Sequence, residues 1–340
     1  MNATSFVAYD ERFFNIIGPY AKVTQLTTLP FQVHEAPCYI PSLNSLFFVE
    51  WGPPGGNTPS GGHDYQYLLN LTTNTLTKFY TNPPTWNVHG CVYHKDLLHI
   101  VTDGGPNETA YLATIDPFTN WTRTTLLNNF YQRPFISFND LELDKQGNYY
   151  LTDSYSGWGR SLHPYNVPTP PTIYYVEAKT LRPKELAVLP VGSNTNGITL
   201  SSDETTLYLA DTGATGATAT SKNSTRNAQG GRDVIAWDFA VSKTTGEKLP
   251  LLTNQRLLNR AMQYFYDGIR TSVNGYIWGA GGEVVDVIEP ESGWTIGSIR
   301  FGGGGNDPVN LVFGEHELWV VGKGGVWHVD GVKELLRVYE

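Results

Sequence analysis

The feature of this sequence that most constrains its fold is a strand-like segment that recurs six times. Each copy is a short run of apolar and aromatic residues ending in a small or acidic residue, and the copies cover 44–52, 96–104, 147–153, 206–213, 275–281 and 316–324. Another strand begins about ten residues before each copy, and two more follow it. Six units of four short antiparallel strands are typical of a six-bladed β-propeller, an all-β fold.

Length and composition agree with this architecture. We expect one propeller domain over residues 1–340, with residues 1–22 forming an N-terminal extension that packs on the propeller. The net charge is −9 and the basic residues are scattered, so we expect no nucleic-acid partner. No uncharged apolar stretch reaches the length of about 18 residues that predicts a membrane span. The oligomeric state is left open.

The first residue of the first strand is polar in all six units. In a propeller this strand lines the central channel, so six side chains are expected to face the axis near one mouth of the channel: Glu35, His89, Asn139, Asn196, Asp267 and Asn310. Carboxylates and carboxamides are the oxygen ligands that hard cations prefer, and two carboxylates balance the charge of a divalent ion. The ring therefore predicts one divalent cation, and Ca²⁺ fits best.

Four motifs at these positions resemble those of the senescence-marker-protein/gluconolactonase propellers, which are related more distantly to paraoxonases and diisopropylfluorophosphatase. They occur in the family's order, each opening a blade: Glu35-Ala-Pro, Phe138-Asn139-Asp140, Asn196-Gly197-Ile198 and Asp267-Gly268-Ile269. The resemblance implies that Glu35, Asn139, Asn196 and Asp267 bind the metal. It also implies that Asp267 serves as the general base of a lactone hydrolysis.

One position departs from the family pattern. Sugar-lactonase members place an arginine two residues before the first asparagine ligand, and here that position is Ser137. Aromatic residues of nearby loops are expected to surround the mouth and, with Ser137 and Asn310, to contact the substrate: Trp51, Trp86, Tyr155 and Trp158. We therefore expect an apolar or aromatic small-molecule substrate rather than a sugar acid. Packing between blades is an equally good reason for these aromatic residues.

Three functions remain compatible with these residues. The preferred one is metal-dependent hydrolysis of a lactone or ester, in which the metal polarises the carbonyl and Asp267 or the metal activates water. The alternative is a cyclisation or pericyclic reaction of secondary metabolism, in which an aromatic pocket orients apolar reactants. A non-catalytic binding propeller is disfavoured by the metal ligands. His89 is a candidate catalytic or substrate-contacting residue, or a channel histidine that only bonds a neighbour.

The two cysteines, Cys38 and Cys91, lie near the starts of the first strands of successive blades. Neighbouring blades bring such positions together, so a disulfide is reasonable in a secreted protein, and two buried thiols are the alternative. Five Asn-x-Ser/Thr sequons favour glycosylation and a secretory-pathway location: Asn2, Asn70, Asn107, Asn120 and Asn223.

Overall fold

A computed structural model describes residues 5–29, 33–51, 63–162, 166–216, 227–303 and 305–335. Six antiparallel sheets, five of four strands and one of five, form a ring. The prediction of an all-β, six-bladed β-propeller is confirmed. None of the helices in these ranges is long and apolar enough to cross a bilayer.

Each blade runs from an inner strand at the channel to an outer strand at the surface. The chain begins with β1 (Phe6–Ala8), α1 (Phe13–Ile16) and β2 (Ile17–Thr28). Blade 1 then contains β3 (Val33–Ile40), β4 (Ser45–Trp51), β5 (Gln66–Asn70) and β6 (Leu76–Phe79), with a 3₁₀ turn at Pro41–Leu43. Blade 2 contains β7 (Val88–His94), β8 (Leu97–Thr102), β9 (Leu112–Asp116) and β10 (Thr122–Leu127).

A two-stranded ribbon of β11 (Asn129–Phe130) and β12 (Arg133–Pro134) leads into blade 3. Blade 3 contains β13 (Phe138–Leu143), β14 (Tyr149–Asp153), α2 (Ser156–Gly159), β15 (Thr172–Val176) and β16 (Pro183–Val188). Blade 4 contains β17 (Thr195–Leu200), β18 (Thr206–Asp211), a 3₁₀ turn at Gly213–Thr215, β19 (Asp233–Val241) and β20 (Lys248–Arg260).

Blades 5 and 6 take strands from both ends of the chain. Blade 5 contains β21 (Ile269–Thr271), β22 (Ile277–Gly281), β23 (Val284–Ile288) and β24 (Thr295–Arg300), with β1 paired to β24 at its outer edge. Blade 6 contains β25 (Asp307–Phe313), β26 (Glu315–Lys323) and β27 (Gly325–Leu335), and β2 pairs with β27 as its outer strand. The segment predicted as an N-terminal extension thus includes strand residues of two blades.

Burial follows the position of a strand within its blade. Every residue of β13 and of β17 is buried, because an inner strand packs against the neighbouring blades and against the next strand of its own sheet. The outer strand β20 instead alternates between exposed and half-buried residues, as expected for a strand with one wet face. Polar residues of the inner strands are therefore enclosed by the protein.

The inner strands are irregular at the level of the predicted site residues. In five of the six, the pairing register shifts there, between Glu35 and Cys38, Val88 and Gly90, Phe138 and Leu141, Thr195 and Ile198, and Pro308 and Asn310. A β-bulge inserts an extra residue and re-aims side chains, and bulges are common beside active sites. The sixth inner strand, β21, begins at Ile269, so Asp267 lies just before it.

Two glycines let neighbouring inner strands approach each other closely. A Cβ atom on Gly197 would lie 2.4 Å from the carbonyl oxygen of Asp267, and one on Gly268 would lie 2.3 Å from the Asn310 side chain. The N–H of Gly197 donates to that Asp267 oxygen at 3.1 Å, and the N–H of Gly268 donates to the Val309 carbonyl at 2.8 Å. Each glycine follows a predicted metal ligand, so close strand contact holds those ligands in place.

Cys38 in β3 and Cys91 in β7 form a disulfide between the inner strands of blades 1 and 2. Their Cα atoms are 6.0 Å apart, which is within the usual range for a bridge. The structure therefore contains the pairing predicted from the repeat, and the bond joins two blades that are otherwise in non-covalent contact.

Candidate functional site

One mouth of the channel forms a cavity of about 240 Å³. Its walls include five of the six residues predicted to ring the mouth, namely Glu35, His89, Asn139, Asn196 and Asp267. Residues of loops, of α2, of the 3₁₀ turn and of β25 complete the walls: Tyr155, Ser156, Gly159, Arg160, Asn194, Thr212, Thr215, Phe265, Asp307 and Val309. Side chains predicted from the repeat in five different blades therefore lie in one cavity wall.

Asn310, predicted to contact substrate, lies behind the wall. Its Nδ2 donates to Glu35 Oε2 at 3.1 Å, and its Oδ1 accepts the N–H of Leu311 at 2.8 Å. Only 2% of the residue is exposed. Asn310 therefore positions the Glu35 carboxylate instead of reaching the cavity.

Glu35 and Asp267 are two enclosed carboxyl groups that repel each other. Burial raises the pKa of Glu35 well above its usual range, and the charge of Asp267 raises it further. Burial likewise raises the pKa of Asp267 to about 7, although His89 and a hydrogen bond from Asn196 oppose the rise. Two neighbouring carboxylates in a low-dielectric site require a proton or a cation between them.

The chemistry of these donors fits a hard divalent cation. Glu35 and Asp267 would neutralise its charge, and Asn139 and Asn196, whose carboxamides each contain an oxygen that can act as a ligand, line the same cavity. Within the described ranges, no group of three or more His, Cys, Asp or Glu side chains is arranged to hold a metal. The fit therefore depends on the two asparagines, as the resemblance implied.

His89 is held between two carboxylates. Its Nδ1 lies 3.1 Å from Asp103 Oδ2, and its Nε2 lies 3.8 Å from Glu35 Oε1. Burial would raise the pKa of Asp103, but the neighbouring His89 and Arg160 outweigh it and hold this pKa below the usual range. Asp103 is therefore an anion that orients the imidazole toward the cavity.

Ser137 belongs to the support of this pair. It is fully buried, its hydroxyl bonds to Asp103, and its Oγ accepts the N–H of Gly157 at 2.7 Å. It is absent from the cavity wall within the described residues. The predicted substrate contact at Ser137 is therefore not seen, because its hydroxyl is used inside the protein.

Aspartates at the ends of second strands fix the starts of the inner strands. Asp153 accepts the N–H groups of Ile136 at 3.0 Å and Ser137 at 2.6 Å. Asp211 accepts the N–H of Asn194 at 2.9 Å in the same way. These residues were visible in the sequence as acidic ends of the repeated strand, and Asp103 occupies the same place in blade 2.

Arg160 was missed by the sequence analysis. It follows α2, lines the cavity, and forms an ion pair with Asp103, with only 9% of its side chain exposed. The position expected for an arginine was Ser137, and the structure supplies a guanidinium from the loop after β14 instead. A lone arginine in a loop gives no periodic or motif signal, so only the folded chain identifies it.

The aromatic ring predicted around the mouth is not assembled by the described residues. Tyr155 lines the cavity, but Trp86 is 7% exposed and packs on Gly105 and His63. Trp158 lies in α2, is partly exposed and is not among the described residues of the cavity wall. The side chain of Trp51 lies outside the described residues. Phe265, which was not predicted, is the second aromatic residue of the wall.

An internal ion pair lies on the inner strands below the site. Arg270 donates to both oxygens of Asp140, at 2.6 and 3.0 Å. Asp140 follows the predicted ligand Asn139 and is buried, and its charge adds to the raised pKa values of Glu35 and Asp267. The aspartate of the Phe-Asn-Asp motif is therefore structural.

Three of the five sequons lie in described parts of the chain. Asn107 and Asn120 are exposed, whereas the Oδ1 of Asn70 accepts the N–H groups of Thr72 and Thr73 within a turn. Asn2 and Asn223 lie outside the described residues.

Comparison with known proteins agrees with this geometry. Residues 66–322 match the SMP-30/Gluconolactonase/LRE-like region, and the chain belongs to that family. This confirms the resemblance drawn from the four motifs. The chain is 32% identical over 341 residues to lactonohydrolase oryL of Aspergillus oryzae, covering 92% of this chain and 70% of that protein. It is 26% identical to lactonohydrolase oryH of the same organism, covering 95% and 80%.

Solved structures share the fold at lower identity. A gluconolactonase from Xanthomonas campestris superposes with a TM-score of 0.73 at 16% identity, covering 97% of this chain and 95% of that one. A calcium-binding protein, regucalcin, from Agrobacterium tumefaciens superposes with a TM-score of 0.60 at 14% identity, covering 93% and 96%. At these identities the similarity establishes the propeller fold alone.

Proposed function

We propose that this protein is a metal-dependent lactonase that opens the ester bond of a lactone in the cavity described above. The observation that carries the proposal is the pairing of Glu35 and Asp267, two enclosed carboxyl groups, with Asn139 and Asn196 in one cavity. The A. oryzae relatives named lactonohydrolases support the reaction class. Ca²⁺ is the proposed metal, because all four donors offer oxygen and a structural neighbour is a calcium-binding protein.

When bound, such a cation would polarise the lactone carbonyl and stabilise the oxyanion that forms during hydrolysis. Asp267 takes a proton from the attacking water, whose oxygen bonds to the carbonyl carbon. The ring C–O bond then breaks and its oxygen receives a proton, giving a hydroxy acid. A cation held by Glu35 and Asp267 would favour the ionised form of Asp267, which is the form that accepts a proton. His89, oriented by Asp103, is placed to supply the proton to the leaving oxygen.

The cyclase alternative loses the observation that favoured it. It depended on an aromatic pocket, and only Tyr155 and Phe265 provide aromatic rings among the described wall residues. The expectation of an apolar substrate had two premises, the missing arginine at Ser137 and the aromatic ring. Arg160 lines the cavity and Trp86 is packed away from it, so the proposal does not retain an apolar substrate.

The test compares two variants on a panel of small lactones in the presence of Ca²⁺. Asp267→Asn removes the base and one of the two ligand charges, so even at saturating Ca²⁺ kcat should fall by about two to four orders of magnitude. Trp86→Ala alters a packed residue outside the described wall and should change kcat far less. Chelation of the metal should abolish turnover. If no lactone is opened while Ca²⁺ is bound, or if chelation leaves both turnover and melting temperature unchanged, the proposal fails.

We also propose that the protein matures in the secretory pathway. The Cys38–Cys91 disulfide supports this location, because such bonds persist in oxidising compartments and are rare in the cytosol. The exposed sequons at Asn107 and Asn120 are the glycosylation sites that the fold leaves accessible.

A further inference from the structure

The Asp140–Arg270 ion pair connects two blades that are not neighbours in the ring. Asp140 lies in β13 of blade 3 and Arg270 lies in β21 of blade 5, with blade 4 between them. The guanidinium donates to both carboxylate oxygens, at 2.6 and 3.0 Å, and both side chains are buried. A bond at two points fixes the relative orientation of its partners as well as their distance. The pair therefore holds the inner strands of blades 3 and 5 in one arrangement.

The inner strand of blade 4 is attached to the same carboxylate. The N–H of Ile198 in β17 donates to Asp140 Oδ2 at 3.4 Å. The N–H of Gly197, the preceding residue, donates to the carbonyl oxygen of Asp267 in blade 5 at 3.1 Å. Bonds therefore join blade 3 to blade 4, blade 4 to blade 5, and blade 5 back to blade 3. Because these bonds form a closed triangle, a shift of one segment would strain its bonds to the other two.

Each corner of this triangle is close in sequence to a proposed metal ligand. A ligand is followed within three residues by a corner residue in each blade: Asn139 by Asp140, Asn196 by Ile198, and Asp267 by Arg270. The fourth proposed ligand, Glu35, accepts a hydrogen bond from Asn310 instead. Groups that orient metal ligands from outside the coordination shell typically change metal affinity by about 10- to 100-fold when they are removed.

We propose that Asp140 and Arg270 form a positioning pair, which sets the spacing of Asn139, Asn196 and Asp267 for the cation. The pair acts through the backbone, because it fixes the starts of three inner strands and those starts carry the ligands. This inference rests on the metal site of the proposed function and identifies the residues that adjust its affinity. It gives the buried ion pair a role beyond the stability of the protein.

Three variants separate positioning from charge, with Ca²⁺ affinity measured by calorimetry. Arg270→Met leaves a buried anion beside a proposed ligand, so an effect of charge alone would tighten Ca²⁺ binding. Loss of positioning should instead weaken binding by about 10- to 100-fold. Asp140→Asn/Arg270→Met removes both charges and should weaken binding to a similar degree. Arg270→Lys keeps the charge without the two-point bond, so its affinity should lie between those of wild-type protein and Arg270→Met.

The matched control is a second buried carboxylate with a basic partner. Asp144 directly follows β13, and its Oδ2 lies 3.5 Å from Lys248 Nζ. Neither residue is among the described walls of the two channel cavities, so Asp144→Asn/Lys248→Met should leave Ca²⁺ affinity unchanged. Melting temperatures without Ca²⁺ identify variants that fail to fold, and Arg270→Lys replaces Arg270→Met if the latter is one of them. Wild-type or tighter Ca²⁺ binding by the Arg270 variants would overturn the proposal.

Hydrogen exchange without Ca²⁺ separates this inference from the proposed function. Amides of segments 139–141, 196–198 and 268–270 should exchange faster in the Arg270 variants, relative to amides of blades 1 and 6, which report global unfolding. The Asp144→Asn/Lys248→Met control should not show this pattern. Such local loss of protection supports the positioning pair even if wild-type protein binds no Ca²⁺ and opens no lactone, which would overturn the lactonase. Unchanged exchange and Ca²⁺ affinity, in a protein that hydrolyses lactones, overturns the positioning pair and leaves the lactonase intact.

Discussion

The two mouths of the channel are built from the same inner strands and differ in how their charges are compensated. Three residues beyond each site residue, the strands present a second set of side chains: Cys38, Val92, Glu142, Thr199, Arg270 and Phe313. We call this second set the far level of the channel, and the set at the predicted site the site level. Five residues of the far level line a cavity of only about 40 Å³, together with neighbouring residues. At the site level the cavity is about 240 Å³.

At the far level, protein groups compensate one another. Arg270 is paired with Asp140, and the Thr199 hydroxyl bonds to Glu142 Oε2 at 3.0 Å. At the site level, the basic group described beside the two carboxyl groups is His89, whose Nε2 lies 3.8 Å from Glu35 Oε1, and the pKa values of Glu35 and Asp267 remain raised by burial and by neighbouring negative charge. Buried charge alone thus does not identify a functional site. The difference lies in whether the fold itself supplies the opposite charge.

The largest effect is expected when compensation at the far level is broken. Arg270→Met should leave Asp140 as an uncompensated buried anion and destabilise the protein by about 3–5 kcal/mol, measured by urea unfolding. The double variant Asp140→Asn/Arg270→Met should recover part of this loss, since both charges of the Asp140–Arg270 pair are then removed. A double variant as unstable as the single one would show that Arg270 acts through packing and not through its charge.

A smaller effect is expected from opening the disulfide. The double variant Cys38→Ala/Cys91→Ala removes a covalent bond between residues 53 positions apart. It should lower the free energy of unfolding by about 2–4 kcal/mol. The kcat on the best lactone should stay within about twofold, because the bridge lies at the far level. Protein secreted by its native host should show no free thiol when denatured without reductant. Two free thiols would contradict the proposed secretory location.

The third prediction compares two buried glutamates of the channel, Glu35 at the site level and Glu142 at the far level. Glu35→Gln removes one of the two proposed ligand charges and should weaken Ca²⁺ binding by about 10- to 100-fold, or about 1.4–2.7 kcal/mol, measured by calorimetry. Glu142→Gln is the matched control, because Glu142 is buried in the same channel at the far level. Equal losses of Ca²⁺ affinity in both variants would mean that the metal is not held at the site level.

The sequence was sufficient to predict which residues line the channel at the site, but not which residues hold them in position. The positions of Glu35, His89 and Asp267 follow from the repeat, because the first residue of each inner strand recurs at one level of the channel. Asp103 recurs as the acidic end of a repeated strand, but neither its role in orienting His89 nor the position of Arg160 could be predicted in this way. Their roles depend on contacts between blade 2 and the loop after β14, and no regular spacing along the chain encodes such contacts.

The closure of blade 6 has a consequence for the timing of folding. Thr24 of β2 pairs with His328 of β27, so about 300 residues separate the two partners along the chain. At about 5–20 residues per second, β2 would wait roughly 15–60 s on the ribosome before β27 is made. Throughout that interval blade 6 lacks its remaining strands and the ring stays open. An open ring exposes unpaired strand edges, which are prone to pair with other chains. Expression that slows synthesis late in the coding sequence should therefore cost soluble protein more than a delay placed near its start.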